Sequence, residues 1–331
     1  MELIDILEAL SQTHGPSGDE RGVRAKIEEL ARPYADEIIT DTLGSLIVHK
    51  KGPGPRVMLC AHMDSIGFIV THIEKEGFLR VGRLGGIAPK EAAYASVRFK
   101  NGVRGVFVPE EKADFGKLKL DECFLDIGAE NETEAKKLVQ VGDTCVYDAP
   151  LRVQSGRVTG PYLDDRIACA VLLCALERIK TPACDLYLVF TVQEEVGLRG
   201  ARTAAWWAEP EVGLAVDVTD VDDTPGSERC GTTRLGGGAG IKVMDSSVIC
   251  HPQVVARLEE LAKTGDIPAQ RDIMRGGGTD AGALHTTRLG VKTGGVSIPC
   301  RYIHTPAEAA DLQDAKACVL LAAAFAQGPL A

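Results

Sequence analysis

At 331 residues the chain is long enough for one large domain, or for a large and a small one, and its 45% hydrophobic and 25% charged content is that of an ordinary globular protein. A formal net charge of −10 argues against nucleic-acid binding, which normally rests on a basic face. No run of about eighteen apolar residues occurs, so the sequence offers no membrane-spanning helix.

The opening "MELIDILEALSQTHG" carries acids on an amphipathic period, without the basic start and apolar centre of a signal peptide, and reads as a helix. A second helix follows "HGPSGDE", a turn rich in Gly and Pro. "EIITDTLGSLIVHK" has β character around a glycine turn, and "RVMLCAHMD" is the short apolar run of a strand buried on both faces. From about Ile66 to Val158 the texture shifts to short alternating strands: "GFIVTHI", "ASVRFKNGVRGVFV" and "DTCVYDAPLRVQSGRVTG". Asn101-Gly102 is a strong hairpin signal there, and one short polar stretch near Glu132 to Leu138 is helical. This predicts a β-rich domain over 67–157 inserted into a larger unit made of 1–66 and 158–331.

After Gly160, helices and strands alternate. "DDRIACAVLLCALERIK", "HPQVVARLEELAKTG" and "AEAADLQDAKACVLLAAAFAQ" read as helices; "DLYLVFTVQEE", "VGLAVDVTD" and "GVKTGGVSIP" read as strands. The prediction is an α/β fold, a mostly parallel sheet sandwiched by helices. Ten cysteines lie scattered in apolar stretches without CxxC pairs, as expected of reduced, buried thiols in a cytoplasmic protein.

In such sheets, sites form beyond the carboxyl ends of the strands. Metal-type ligands recur at such positions: His62 and Asp64, Asp164 and Asp165, Glu194 and Glu195, Asp217, and His304. Singly, each has a plain structural reading as a helix cap, a turn former or a backbone-bonded histidine. Together they predict a metal centre. Residues i and i+2 of a strand share a face, so Asp64 belongs behind His62, orienting its ring, and is not itself a ligand. Two divalent ions sharing Asp164 would take His62 and Asp217 on one side and Glu195 and His304 on the other. Three carboxylates and a shared hydroxide then balance the charge. The imidazole and carboxylate set suits zinc, cobalt or manganese. Glu194, beside Glu195, is left to act as general base and later as proton donor.

In order and spacing, "HGPSGDE", "DTLGSLIV", "AHMDSIGF", "GPYLDDR", "FTVQEEVGLRGA", "AVDVTD", "GGGTDAGALH" and "IPCRYIHTP" make the chain resemble the tetrahedral (TET) or glutamyl aminopeptidase family. These are dinuclear metallo-aminopeptidases whose members have also been labelled deblocking aminopeptidases and endoglucanases. The likeness covers essentially the whole chain. It implies the same ligands (His62, Asp164, Glu195, Asp217, His304), Glu194 as base and Asp64 behind His62. It further implies a zinc-exopeptidase-like fold and two ions per subunit, Zn2+ or Co2+, with Mn2+ also compatible. The insertion would be a PDZ-like or barrel-like domain making oligomer contacts in a homo-oligomer, the tetrahedral dodecamer of the family. The substrates would be short peptides cut at the N-terminus.

Thr279 and Asp280, in a glycine-rich segment that lacks the ending of a phosphate loop, would contact substrate. By itself that segment reads as a flexible turn. His285 reads as a core residue or a support for the site; His14, His49, His72 and His251 read as structural. Two positions depart from the family pattern: Ser65, where Glu is common after HxD, and Ser45, where Asn often follows DxLG. Neither is an assigned ligand. A glycoside hydrolase is one rival reading, but its acids flank the bond about 5–9 Å apart and need no histidines. A non-catalytic scaffold of the same fold is another, though it would have no use for Glu194.

Overall fold

The computed structural model describes residues 1–227 and 232–328. Among them, eleven strands build one mixed sheet and six close into a separate barrel. The centre of the sheet is parallel: Asp185–Thr191, Arg56–His62, Val212–Asp220 and Lys292–Arg301 lie side by side in that order. Their carboxyl ends therefore meet along one edge, with Thr191 beside His62 and Asp217 beside Ser297. These strands are buried along nearly their whole length, which is why they read as continuous apolar runs and not as alternating ones.

Antiparallel strands flank this centre. Glu37–Thr40 and Leu46–Lys50 extend one side; Glu308–Asp311, Arg157–Gly160 and Arg152–Gln154 extend the other. Ala239–Met244 and Ala269–Ile273 branch from Lys292–Arg301. The helix Leu163–Arg178 packs on the central strands beside Leu312–Gln327 and Leu3–Ser11. Enclosed by these neighbours, it is apolar on every side from Ile167 to Leu176, the signature of an internal helix. Arg199–Ala208 packs on Asp185–Thr191. The segment expected to be helical from Ala307 begins instead as the strand Glu308–Asp311. Pairing with Arg157–Gly160 holds it extended, and the Asp311 carboxylate then accepts the Gln313 N–H (2.8 Å) to start the helix.

The barrel runs Gly67–Ile73, Leu79–Leu84, Cys123–Asp126, Arg104–Pro109, Ser96–Phe99, Thr144–Tyr147 and back to the first strand, all antiparallel. Phe68, Phe99, Phe107, Leu79 and Leu125 fill it, with the Phe68 and Phe107 rings stacked at 4.9 Å. The Asn101-Gly102 turn joins Ser96–Phe99 to Arg104–Pro109, and Gly102 takes φ +90°, which costs glycine little. The hairpin Arg152–Gln154/Arg157–Gly160 belongs to the large sheet and not to the barrel. No helix among the described residues is long and apolar enough to cross a membrane.

Candidate metal centre

Five segments deliver their polar side chains to the carboxyl edge of the parallel strands. His62 is the last residue of its strand. Asp217 lies inside Val212–Asp220, and Asp164 sits at the irregular start of Leu163–Arg178. Strand Asp185–Thr191 stops before the two glutamates, which occupy the turn that follows. There the Glu194 carbonyl accepts the N–H groups of Gly197 and Leu198, both at 2.9 Å. His304 follows Lys292–Arg301 in a turn at φ +67°, unusual for a residue with a Cβ.

Asp164 is the hub. One of its carboxylate oxygens lies 3.0 Å from His62 Nε2, and the other lies 3.2 Å from His304 Nε2. Glu195 Oε2 is also 3.2 Å from His304 Nε2. Glu194 and Asp217 approach His62 Nε2 at 3.9 and 4.0 Å. Two sets of donor atoms, His62/Asp164/Glu195 and His62/Asp165/Asp217, each fall within 4.8 Å of one another.

Both rings are turned the same way by their other nitrogen. His304 Nδ1 donates to the Gly86 carbonyl (3.2 Å), and His62 Nδ1 to the Asp64 carbonyl (3.2 Å), with the Asp64 carboxylate 3.5 Å away. Nε2 is thereby left facing the cluster in each case. A side chain at Gly86 would strike the His304 ring at 2.7 Å, so glycine is needed for this approach. Asp64 does more than orient His62. Its carboxylate accepts the Glu194 and Glu195 N–H groups at 2.9 and 3.3 Å and the Ser17 hydroxyl at 2.6 Å, fixing the turn that carries both glutamates.

The electrostatics are lopsided. Burial raises Glu194 and Asp217 well above the usual carboxylate range, and raises Glu195. Burial pushes Asp164 the same way, but His304 and His62 outweigh it and hold that carboxyl low. For His62, burial is overcome by Glu194, Asp164 and Asp64, leaving it well above its ordinary value; for His304, Asp164 and Glu195 overcome burial and lift it to about 12. Among the described residues, Glu195 Oε1 and Asp165 Oδ1 are buried without a hydrogen-bond partner. Carboxylates outnumbering imidazoles, with buried oxygens that lack a partner, fit divalent cations. The donors are nitrogen and oxygen only, as zinc, cobalt or manganese accept.

Residues 44–321 match the model of the M42 glutamyl aminopeptidase family. The chain belongs to that family. The solved aminopeptidase APDkam598 of Desulfurococcus kamchatkensis is 38% identical and matches with a TM-score of 0.94 over 98% of this chain and 94% of its own. The lysyl aminopeptidase of Pyrococcus furiosus is 37% identical, covering 97% of this chain and 96% of itself. The TET1 peptidase of Pyrococcus horikoshii, which can assemble into a tetrahedron or a large octahedral shell, is 30% identical, with a TM-score of 0.88 over 99% of this chain and all of its own.

In this M42 chain the cluster opens on a cavity of about 490 Å3 that His62, Asp164, Glu194, Glu195, Asp217 and His304 all line. Thr279 and Asp280 stand behind its wall. The Thr279 hydroxyl donates to Asp245 (3.0 Å) and the Asp280 carboxylate accepts the Thr191 hydroxyl, while Gly277 and Gly278 line the cavity. Ser65 faces away too, donating N–H and hydroxyl to the Gly15 carbonyl at 3.1 and 3.3 Å. Ser45 is fully buried. His14 contacts Thr144, His49 contacts Asp185, and His285 donates to the Ala281 carbonyl in its own short helix.

Two further carboxylates support the cluster: Glu308, which the sequence did not mark, and Asp165, which it offered only as a candidate beside Asp164. Glu308 is buried and accepts the N–H groups of Asp164 (3.0 Å) and His304 (2.9 Å), tying two distant segments of the cluster together. Asp165 accepts the His62 N–H at 3.1 Å. The one signal for Glu308 was an acid opening an otherwise apolar "EAA" run.

Proposed function

We propose that this aminopeptidase removes N-terminal residues from short peptides, with two divalent cations, Zn2+ or Co2+ with Mn2+ also compatible, held across Asp164. His62 and Asp217 would complete one side, Glu195 and His304 the other. The observation that carries this reading is the Asp164 carboxylate, whose two oxygens each face a different imidazole. When bound, the cations would polarise the scissile carbonyl and ease deprotonation of the attacking water.

The chain's own residues do the rest. Glu194 lines the cavity on a turn pinned by Asp64, and burial has raised its proton affinity. Its carboxylate takes the proton of the attacking water and returns it to the departing amine nitrogen. The Gly86 and Asp64 carbonyls keep the two rings from rotating out of position. Surrounding carboxylates suit a free α-amine, the group that separates exopeptidase from endopeptidase action.

A glycosidase is not favoured: adjacent glutamates in one turn do not flank a sugar bond, and two histidines converging on the same carboxylate would have no role. We further propose that 1–66 and 158–331 form the catalytic unit, and that the insertion over 67–157, whose strand Arg152–Gln154 rejoins the large sheet, makes contacts in a closed homo-oligomer such as a tetrahedral dodecamer. The likeness to the P. horikoshii peptidase supports this. The free, buried cysteines among the described residues support a cytoplasmic setting.

Glu194→Gln tests the mechanism. The variant is expected to keep its metal content, by elemental analysis, while kcat on aminoacyl chromogenic substrates falls roughly 10²-fold or more. Undiminished cleavage would remove Glu194 from the reaction. Chelation should abolish wild-type cleavage, whereas a glycosidase of the usual type would retain its activity.

A further inference from the structure

Part of the cavity wall has no role in the metal centre. Leu198, Val218, Met274 and Ile303 form an apolar surface on it. Asp220, the last residue of strand Val212–Asp220, lies three positions beyond Asp217 and lines the same cavity. Its backbone carbonyl accepts the Thr233 hydroxyl at 2.9 Å, which anchors the strand end from outside. No lysine or arginine occurs among the described lining residues. Lys242 pairs with Asp272 at 2.7 Å and Arg301 with Asp223 at 2.6 Å, while Arg275, next to Met274, is exposed.

An apolar surface in a cavity whose charged lining is mostly carboxylates, Asp220 among them, matches one kind of side chain, an aliphatic stem ending in a positive charge. We infer that Asp220 sets the side-chain preference of this cavity, which selects peptides beginning with lysine or arginine over those beginning with glutamate. This rests on the aminopeptidase reading above. The stem lies on Leu198, Val218, Met274 and Ile303, and the cationic head reaches the Asp220 carboxylate. A leucine would cover the apolar surface and leave Asp220 to water. A glutamate would bring a further negative charge against Asp220. The preference thus runs against the acidic residue in the family's name.

Two measurements test this. Steady-state kcat/KM of the metal-loaded enzyme on lysyl, arginyl, leucyl and glutamyl p-nitroanilides should favour lysine and arginine over glutamate by about 100-fold. In Asp220→Asn the lysine-to-leucine ratio should fall about tenfold, the scale of losing one partly buried charge pair. Asp220→Lys should move the ratio of lysine to glutamate in favour of glutamate. A wild-type preference for glutamate would overturn the proposal. So would an unchanged lysine-to-leucine ratio in Asp220→Asn, which would assign Asp220 to the α-amine common to all four substrates.

The second measurement needs no turnover. Calorimetric titration of metal-loaded Glu194→Gln with Lys-Ala-Ala and with Glu-Ala-Ala should show at least about tenfold tighter binding of the first. Equal affinities would overturn the proposal. Should the wild type cleave none of the p-nitroanilides, the aminopeptidase reading fails, and this binding difference still decides the role of Asp220.

Discussion

The two lobes of this protein handle charge in opposite ways. In the barrel, the buried side chains are apolar, and the ionised groups stand at the surface in pairs such as Arg80 with Glu74 and Glu110, and Arg104 with Asp148. At the carboxyl edge of the large sheet, Asp64, Asp164, Asp165, Asp217 and Glu308 are all buried, with the His62 and His304 rings placed among them. Burying a carboxylate costs free energy unless a partner offsets it. The barrel core therefore buries no charge of this kind, whereas the sheet edge gathers buried carboxylates that a bound cation would offset. Stability and function should come apart between the lobes.

The largest effect expected is at the hub. Asp164→Asn removes the negative charge from the carboxylate that both imidazoles face, so bound metal should drop and turnover should disappear, while far-ultraviolet circular dichroism stays that of the wild type. Retention of two cations per chain would break the contrast, because the sheet edge would then not depend on Asp164.

Phe107→Ala is the converse. Phe107 is fully buried at the centre of the barrel, stacked on Phe68. Truncation should cost about 3–5 kcal/mol in denaturant unfolding. Metal content per folded chain should not change. A matching loss of metal affinity would mean that the barrel core is coupled to the centre, through Gly86 and its hydrogen bond to His304.

The pH dependence of the chelator-treated protein sharpens the same point. Burial raises Glu194, Asp217 and Glu308 above the carboxylate range and lifts Asp280 to about 6. A carboxyl with a raised folded pKa binds its proton more tightly in the folded state than in the unfolded one. Stability therefore rises as pH falls through about 6, and levels off below the unfolded value near 4. The imidazoles act in the same sense. His304, lifted to about 12, stabilises fully below the unfolded value near 6.5 and progressively less above it. Asp164 and Asp64 are depressed and oppose this trend only below about pH 4. Thermal melts of chelated protein should thus move upward from about pH 8 to about pH 5. With cations bound the trend should reverse, because ligands must lose protons to bind metal.

Much of the centre could be read in the sequence because it rests on strand ends. An apolar run closing on "AHMD" or continuing into "QEE" announces a side chain at the sheet edge, and period-two geometry places His62 and Asp64 together. Glu308 gave no comparable signal, and Asp165, singled out beside Asp164, gave no sign of its role. They work by accepting backbone N–H groups of residues far away in sequence, Glu308 from Asp164 and Asp165 from His62, and such partners follow no period. Glu308 was further obscured because the residues after it have high helix propensity, while its strand exists only through pairing with Arg157–Gly160. The glycine-rich segment shows the same dependence on distant partners. Its polar residues, Thr279 and Asp280, turn inward to Asp245 and Thr191, and its bare glycines face the cavity.

The smallest effect should come from the barrel's own charges. Arg80 lies 2.7 Å from both Glu74 and Glu110 and donates to the carbonyls of Asp121 and Cys123, so by number of contacts it looks important. It is about a third exposed, however, and water competes for each contact. Arg80→Met keeps much of the aliphatic stem and removes the charge. It should cost about 1 kcal/mol or less in denaturant unfolding, with no change in metal content or turnover. A loss as large as that of Phe107→Ala would show that the barrel, too, depends on paired charge, and the difference between the lobes would then be one of degree.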